Sequence, residues 1–364
     1  MRIAYVYDAV YPWIKGGAER RVYELSQRLA LRGHEVHCYG ARWWEGDKHI
    51  KLGDVWHHGV CPPHPLYTKN KRSVKQAILF SLGLLRNLEG GYDVIDCQEF
   101  PYLSCFSARA RSGGASFFIT WHEIWGEYWI DYLGRSGYLG MAVERAAAML
   151  TSNNIAVSEM TGRELMRLGA ESIVVPNGID FKHIQSIRPA DSEHDIVFAG
   201  RLISHKNLHM LLEAIALLDS DVKLLIIGEG PEAPRLHALA RSLGLDERVS
   251  FSGFLRYEDA ISLIKSSRAF VLPSTREGFG MAALEAMACG VPVVTVRHRM
   301  NAACDLLTPE TGVIAEPSPG SLADAIRAAL DLSKAAGARC REIARRYDWD
   351  VICGEIESVY AERA

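Results

Sequence analysis

The sequence lacks any run of ~18 uncharged apolar residues. Its start, MRIAYVYDAVYPW, also lacks the basic, apolar, small-residue order of a secretory leader. The expectation is a protein that neither spans a membrane nor is exported by that route, and that works in the cytoplasm, the inner face of the membrane included. A charge excess is missing too: 41 basic against 44 acidic side chains leave −3. With no long basic stretch and no repeated aromatic and basic pattern, nucleic acid is excluded as the main partner. The eight cysteines (38, 61, 97, 105, 289, 304, 340, 353) contain no C-x-x-C pair, and several stand in apolar runs, so reduced, buried thiols are expected. No G-x-G-x-x-G follows the first strand, and no acidic residue follows the second at the place a dinucleotide site needs.

What is present is length and rhythm. The 364 residues exceed the ~250–300 at which a single core stops growing, so two domains are expected. Short β-branched runs alternate with longer helical ones from end to end, which argues α/β architecture with parallel sheets covered on both faces. In the first half, strands are expected at Arg2 to Tyr7, Glu35 to Tyr39, Val94 to Cys97, Phe117 to Trp121, Ile155 to Val157 and Ser172 to Val175, with a helix from Ala18 to Arg32. The turn cluster Pro176-Asn177-Gly178-Ile179-Asp180 breaks the pattern and sets the boundary between domains at 1–176 and 177–348. A second strand series then starts at Ile196 to Ala199. The amphipathic segment from Trp349 is expected to pack back on the first domain.

In open parallel sheets ligands bind beyond the carboxyl ends of the strands, which puts a site in the cleft between two such domains facing each other. Four strand-to-helix loops stand out. Lys15-Gly16-Gly17-Ala18-Glu19 opens a helix, where free N–H groups and the helix dipole favour a phosphate or a sugar oxygen. Gly200-Arg201-Leu202-Ile203-Ser204-His205-Lys206 carries an arginine and a lysine able to converge on one diphosphate, or else a solvated helix start. In the stretch from Pro273 to Glu285, Glu277 in a loop and Glu285 in a helix can bracket an elongated ligand. The Gly278-Phe279-Gly280 turn there aims a helix N-terminus at its phosphates. Thr120-Trp121-His122-Glu123, followed by Trp125, Tyr128, Trp129 and Tyr132, offers a histidine at a strand end and aromatic faces that suit sugars, a core or a partner surface.

Together these loops resemble the large retaining glycosyltransferase family of the GT-B fold that includes glycogen and sucrose-type synthases. The resemblance covers nearly the whole chain. Ser274 to Glu285 looks like the family's E-x7-E element, Arg201 with Lys206 matches its basic pair, and Gly16-Gly17, the 176–180 linker and Gly228-Glu229-Gly230-Pro231 look like further landmarks. The resemblance implies two Rossmann-like domains, a UDP-, GDP- or ADP-sugar donor held mostly by the second, and a hydroxyl acceptor, free or lipid-linked, held by the first. It implies that Arg201 and Lys206 neutralise the leaving diphosphate, that Glu285 binds the ribose and that Glu277 contacts the donor sugar. Gly17 would approach the phosphates or sugar, with Gly16 and Gly230 counted among the contacts. His122 would hydrogen-bond the sugar near the reacting carbon, and the base would lie against Phe254 and Leu255. Transfer would retain anomeric configuration and need neither metal nor cofactor.

Both D-x-D sequences, Asp219-Ser220-Asp221 and Asp348-Trp349-Asp350, read as turn and cap chemistry rather than metal ligands. Arg297-His298-Arg299 departs from the small turn usual in the family and points to an anionic donor sugar or acceptor. Lys69, Lys71, Arg72 and Lys75 precede the apolar stretch Ala77 to Leu85. That pattern suits docking on an anionic membrane or, as the favoured expectation, a buried helix with a basic entry. Two rival functions share the architecture: a nucleotide-sugar epimerase, which would need a matched pair of carboxylates at the sugar ring, and an inactive partner subunit.

Overall fold

Along the first strand, β1 (Arg2–Val6), Ile3 and Tyr5 pack into one core while Ala4 and Val6 pack into another. This period of two leaves the strand covered on both faces, as a parallel sheet requires. The computed structural model describes residues 1–68, 71–192 and 194–363. They form two units, Met1–Asn177 with Trp349–Ala364, and Gly178–Asp348.

The first unit holds an 8-stranded sheet. Its further strands are β2 (Glu35–Ala41), β3 (His49–Leu52), β4 (Val55–Cys61), β5 (Val94–Gln98), β6 (Ser116–Trp121), β7 (Asn153–Ala156) and β8 (Ser172–Val174). Their order is β8-β7-β6-β5-β1-β2-β4-β3. Each expected strand is present. β3 and β4 were not expected, and β3 runs antiparallel to β4 at the edge. Val55–Cys61 reads VWHHGVC, and its paired histidines and glycine hide the strand signal. One face carries helix Gly17–Leu31 and the last helix, Trp349–Arg363, which supplies Trp349, Ile352, Cys353, Ile356 and Tyr360 to the core around Ile3 and Tyr5. Helices Val74–Asn87, Tyr102–Arg111 and Gly137–Ala148 cover the other face through Phe80, Leu84, Tyr102, Cys105 and Ala147.

The second unit holds a 6-stranded parallel sheet of β9 (Ile196–Ala199), β10 (Leu224–Ile227), β11 (Val249–Gly253), β12 (Ala269–Leu272), β13 (Val293–Val296) and β14 (Gly312–Ala315). The order is β11-β10-β9-β12-β13-β14, so the winding reverses between β9 and β12. In the first sheet it reverses between β1 and β5. These two switch points are where a doubly wound sheet leaves a crevice at its carboxyl edge.

All eight cysteines are free, and all but Cys304 are buried. Asp219 lies in a turn, its carbonyl accepting from Val222 N at 3.2 Å. Asp348 accepts from Phe181 N at 3.2 Å and Asp350 pairs with Arg28 at 2.9 Å, so the acids of the second D-x-D sequence are engaged in a backbone hydrogen bond and an ion pair. Among the described residues no helix is long and apolar enough to cross a membrane.

Candidate functional site

At the switch point of the second unit, three loops are laced by their backbones. Leu202 N donates to Glu229 O at 2.9 Å, Glu232 N to Leu202 O at 3.0 Å and Gly228 N to Gly253 O at 2.9 Å. The approach is so close that a Cβ on Gly228, whose φ is +135°, would lie 1.9 Å from Gly200 O, and one on Gly230 would lie 2.2 Å from Leu202 O. Gly230, expected as a ligand contact, is thus demanded by the seam between two loops. Phe254, just past β11, is 69% exposed, and its N–H donates to Glu229 Oε1 at 3.3 Å. Leu255 is half-buried beside it.

The loop after β12 joins the same cluster. Thr275 N donates to His205 O at 3.0 Å and Asn207 Nδ2 to Pro273 O at 3.3 Å. Asn207, left-handed at φ 51°, opens helix Leu208–Ala216. These contacts bring Lys206 Nζ onto the Glu277 carboxylate. Both side chains are largely buried, 16% and 13% exposed. The sequence reading gave these two residues separate ligand partners; here each is the other's.

Residues 276–277 pair in parallel with Met300–Asn301. Buried Asn301 donates to Thr295 Oγ1 at 2.9 Å and to Val296 O at 2.8 Å, and accepts from Ala303 N at 3.1 Å. Asn301 is a support that sequence reading missed; in the sequence it stands between Arg299-Met300 and Ala302-Ala303 with nothing to mark it. Ser274 Oγ is fully buried with no hydrogen-bond partner.

Gly280, at φ +96° and with its missing Cβ 2.8 Å from Ala303 Cβ, starts helix Met281–Cys289, which carries half-buried Glu285. Gly278 precedes Phe279, whose ring is 6% exposed and packs 5.9 Å from Tyr347. The Phe279 side chain therefore belongs to the core, and what this turn can offer a ligand is its backbone. Arg201 is exposed beside Leu202, which is buried. Arg297 pairs with Glu316 at 3.0 Å, both well exposed.

In the first unit, His122 follows β6 and its Nε2 lies 2.8 Å from Gln98 Oε1. Gln98 Nε2 in turn donates to Asp96 Oδ1 at 3.1 Å, which leaves Oε1 as the acceptor and fixes the His122 proton on Nε2. Asp96 also accepts from Thr120 Oγ1 at 2.8 Å and from Tyr360 O–H at 2.5 Å. Burial pushes the Asp96 carboxyl up, against those hydrogen bonds and the nearby Arg21 charge. Burial, aided by Arg21, lowers the His122 imidazole to about 3, so it is neutral at ordinary pH. Sequence reading named the histidine but not Gln98, Asp96 or Tyr360; an aspartate in the apolar run of β5 was the available signal.

Gly16 is extended at φ −171°, so left-handed geometry is not its reason. The Glu19 carboxylate lies over Gly16, within 2.3 Å of where a Cβ would stand, beside Gly17 at the start of the helix. The aromatic run after His122 is mostly structural. Trp121 and Trp129 are core residues, and buried Glu144 accepts from Trp125 N at 2.8 Å, Gly126 N at 2.9 Å and Tyr102 O–H at 2.7 Å.

Comparison with known proteins agrees with this architecture. Residues 180–347 match the family described as Glycosyl transferases group 1, and residues 15–183 match Glycosyltransferase Family 4. A GDP-mannose-dependent alpha-(1-6)-phosphatidylinositol dimannoside mannosyltransferase of Mycobacterium tuberculosis is 28% identical over 355 residues, covering 92% of this chain and 89% of that protein. Sucrose-phosphate synthase of Thermosynechococcus elongatus has a similar structure, with a TM-score of 0.84 at 22% identity over 99% of this chain and 98% of the other. The Anabaena protein HepE, crystallised with UDP-glucose, has a TM-score of 0.77 at 20% identity, with both chains covered in full (100%).

Proposed function

The chain belongs to the GT-B glycosyltransferases, and from that premise we propose that it moves a sugar from a nucleoside-diphosphate sugar to a hydroxyl acceptor, with retention of configuration and without a metal. The observation that carries the reading is the meeting of Lys206 and Glu277 at the switch point of the second sheet, on loops locked together by Gly228 and Gly230. A largely buried ammonium already held by a carboxylate suits a ligand that carries both a diphosphate and hydroxyls. The diphosphate takes over the ammonium, and Glu277 turns to a sugar hydroxyl.

Arg201 adds a planar fork to the same anion. Fixed cations aimed at a leaving diphosphate stabilise charge as it develops, which is where a transferase gains most. Exposed Phe254 offers a ring to the base, and Glu285 is assigned the ribose. In the first unit, His122 presents a neutral Nδ1 as an acceptor for a sugar hydroxyl. The mycobacterial relative is named for GDP-mannose and a phosphatidylinositol mannoside, and the Anabaena structure holds UDP-glucose. Both support a nucleotide-sugar donor for this chain.

The test is a thermal-shift screen with UDP, GDP and ADP, in which a ligand at 100 times its dissociation constant adds ~2.7 kcal/mol. The sugars of the stabilising nucleotide are then assayed for transfer and slow hydrolysis, and the product anomer is read by NMR. Lys206→Ala is expected to lower turnover ~10²–10³-fold. No shift with any nucleotide, or an isomerised sugar released without acceptor, overturns the proposal.

A further inference from the structure

Helix Val74–Asn87 is apolar on two opposite sides. Phe80 and Leu84 point into the core, while Val74, Ile78, Leu82 and Leu85 are 69%, 45%, 46% and 41% exposed. Their spacing of four, four and three places them on one stripe. The favoured sequence expectation of a buried helix is therefore met on one side only; Lys69 and the side chain of Lys71 lie outside the described residues. A helix apolar on two opposite sides asks for cover on both, and none of the described residues covers the outer side of this one.

The neighbouring helices continue the surface. Leu103 on Tyr102–Arg111 is 38% exposed, and Tyr138 and Leu139 on Gly137–Ala148 are 65% and 70% exposed. Charge on these three helices has one sign. Lys75, Arg86, Arg109 and Arg145 are exposed, and the single carboxylate, Glu144, is buried and hydrogen-bonded inward. In a chain whose acids outnumber its bases overall, a face of three helices without one exposed acid is a marked segregation.

The geometry points to this face of the first unit as a docking surface for an anionic lipid bilayer, with the stripe from Val74 to Leu85 entering the interface and the surrounding cations meeting lipid phosphates. Apolar residues on one side of a helix with basic residues at its margins match the amphipathic chemistry that such interfaces hold. A protein partner or a second copy would leave the one-signed exposed charge of these three helices without a reason. The inference stands apart from the proposed transfer reaction, because none of its residues belongs to the donor loops.

The full chain is to be sedimented with vesicles of equimolar phosphatidylcholine and phosphatidylglycerol, with phosphatidylcholine vesicles as the comparison. Binding to the anionic vesicles alone is expected, with release at ~1 M salt, where the screening length falls to about 3 Å. Lys75→Ala with Arg86→Ala should weaken that binding about fivefold per charge removed, and Ile78→Gln with Leu82→Gln by about tenfold or more. All four positions face outward, so unfolding midpoints should hold, and each variant is checked for this by circular dichroism.

Absent binding, equal binding to both vesicles, or binding indifferent to both double variants overturns the inference. So does a dimer in sedimentation velocity that Ile78→Gln with Leu82→Gln dissolves. Nucleotide shifts are read in parallel: vesicle binding without any nucleotide effect breaks the transferase reading and leaves this one standing, and the reverse result does the opposite.

Discussion

The two units share a doubly wound plan and differ in what they bury. In the first, Asp8, Arg21, Asp96, Glu99 and Glu144 are at most 3% exposed, and three histidines of β2 and β4 are buried with them. In the second, Asp348, at 9%, is the buried charged residue among those described, and the interior polar groups are otherwise hydroxyls and the Asn301 amide. Its ionisable side chains of interest, Lys206 and Glu277, are largely but not fully buried and pair with each other. Burying a charge is costly unless it is answered by partners, so the first unit depends on the hydrogen bonds and ion pairs that these groups find. The second rests on an apolar interior.

The largest break in this contrast should come from Arg21. Its guanidinium donates to Pro176 O at 2.5 Å and to Asn177 Oδ1 at 3.1 Å and faces the Asp96 charge. Arg21→Met removes the cation and its two hydrogen bonds and leaves the Asp96 charge to its neutral donors, for an expected loss of about 3–5 kcal/mol. Hydrogen exchange resolved by peptide should show that loss in residues 1–177 and 349–363 while residues 178–348 keep their protection. Equal loss in both units would dissolve the contrast.

A smaller effect is expected at His57, where it takes the opposite sign. Neither ring nitrogen of this buried histidine has a hydrogen-bond partner, and burial lowers its imidazole to about 4. A lowered value means that the unfolded chain binds the proton more readily. Stability from the neutral ring is complete above the ordinary value near 6.5 and is lost as pH falls towards 4. His57→Leu should therefore stabilise the first unit by about 1–3 kcal/mol and flatten its pH dependence through that window. Chemical denaturation at several pH values measures both.

The smallest effect belongs to the rim of the second unit. Arg297 and Glu316 are 65% and 66% exposed, so Glu316→Gln should move stability by less than about 1 kcal/mol. A larger shift in denaturant midpoint would mean that the charges of this unit matter to its fold.

How much of this was legible in the sequence follows the same division. Every expected strand of the first sheet was readable because its apolar residues are local and periodic, whereas β4 was hidden by His57, His58 and Gly59. The loops after β9, β10 and β12 announced themselves through glycines and charges, yet the reason for Gly230 is a carbonyl at Leu202, and the partner of Lys206 is 71 residues away. Contacts of that separation are decided by how strands order in a sheet, which periodicity does not encode. Asp96 shows the limit from the other side: an acid inside an apolar strand says that a partner exists, but not that it is Tyr360.

That hydrogen bond between Asp96 and Tyr360 bears on the order of synthesis. Strand β5 leaves the ribosome early, while the helix that seals it comes after the entire second unit. At ~5–20 residues per second that interval is on the order of ten seconds or more. Throughout it the nascent first unit must wait with its Ile3 and Tyr5 face open and its aspartate held by Thr120 and Gln98 alone, and only the emergence of helix Trp349–Arg363 closes it.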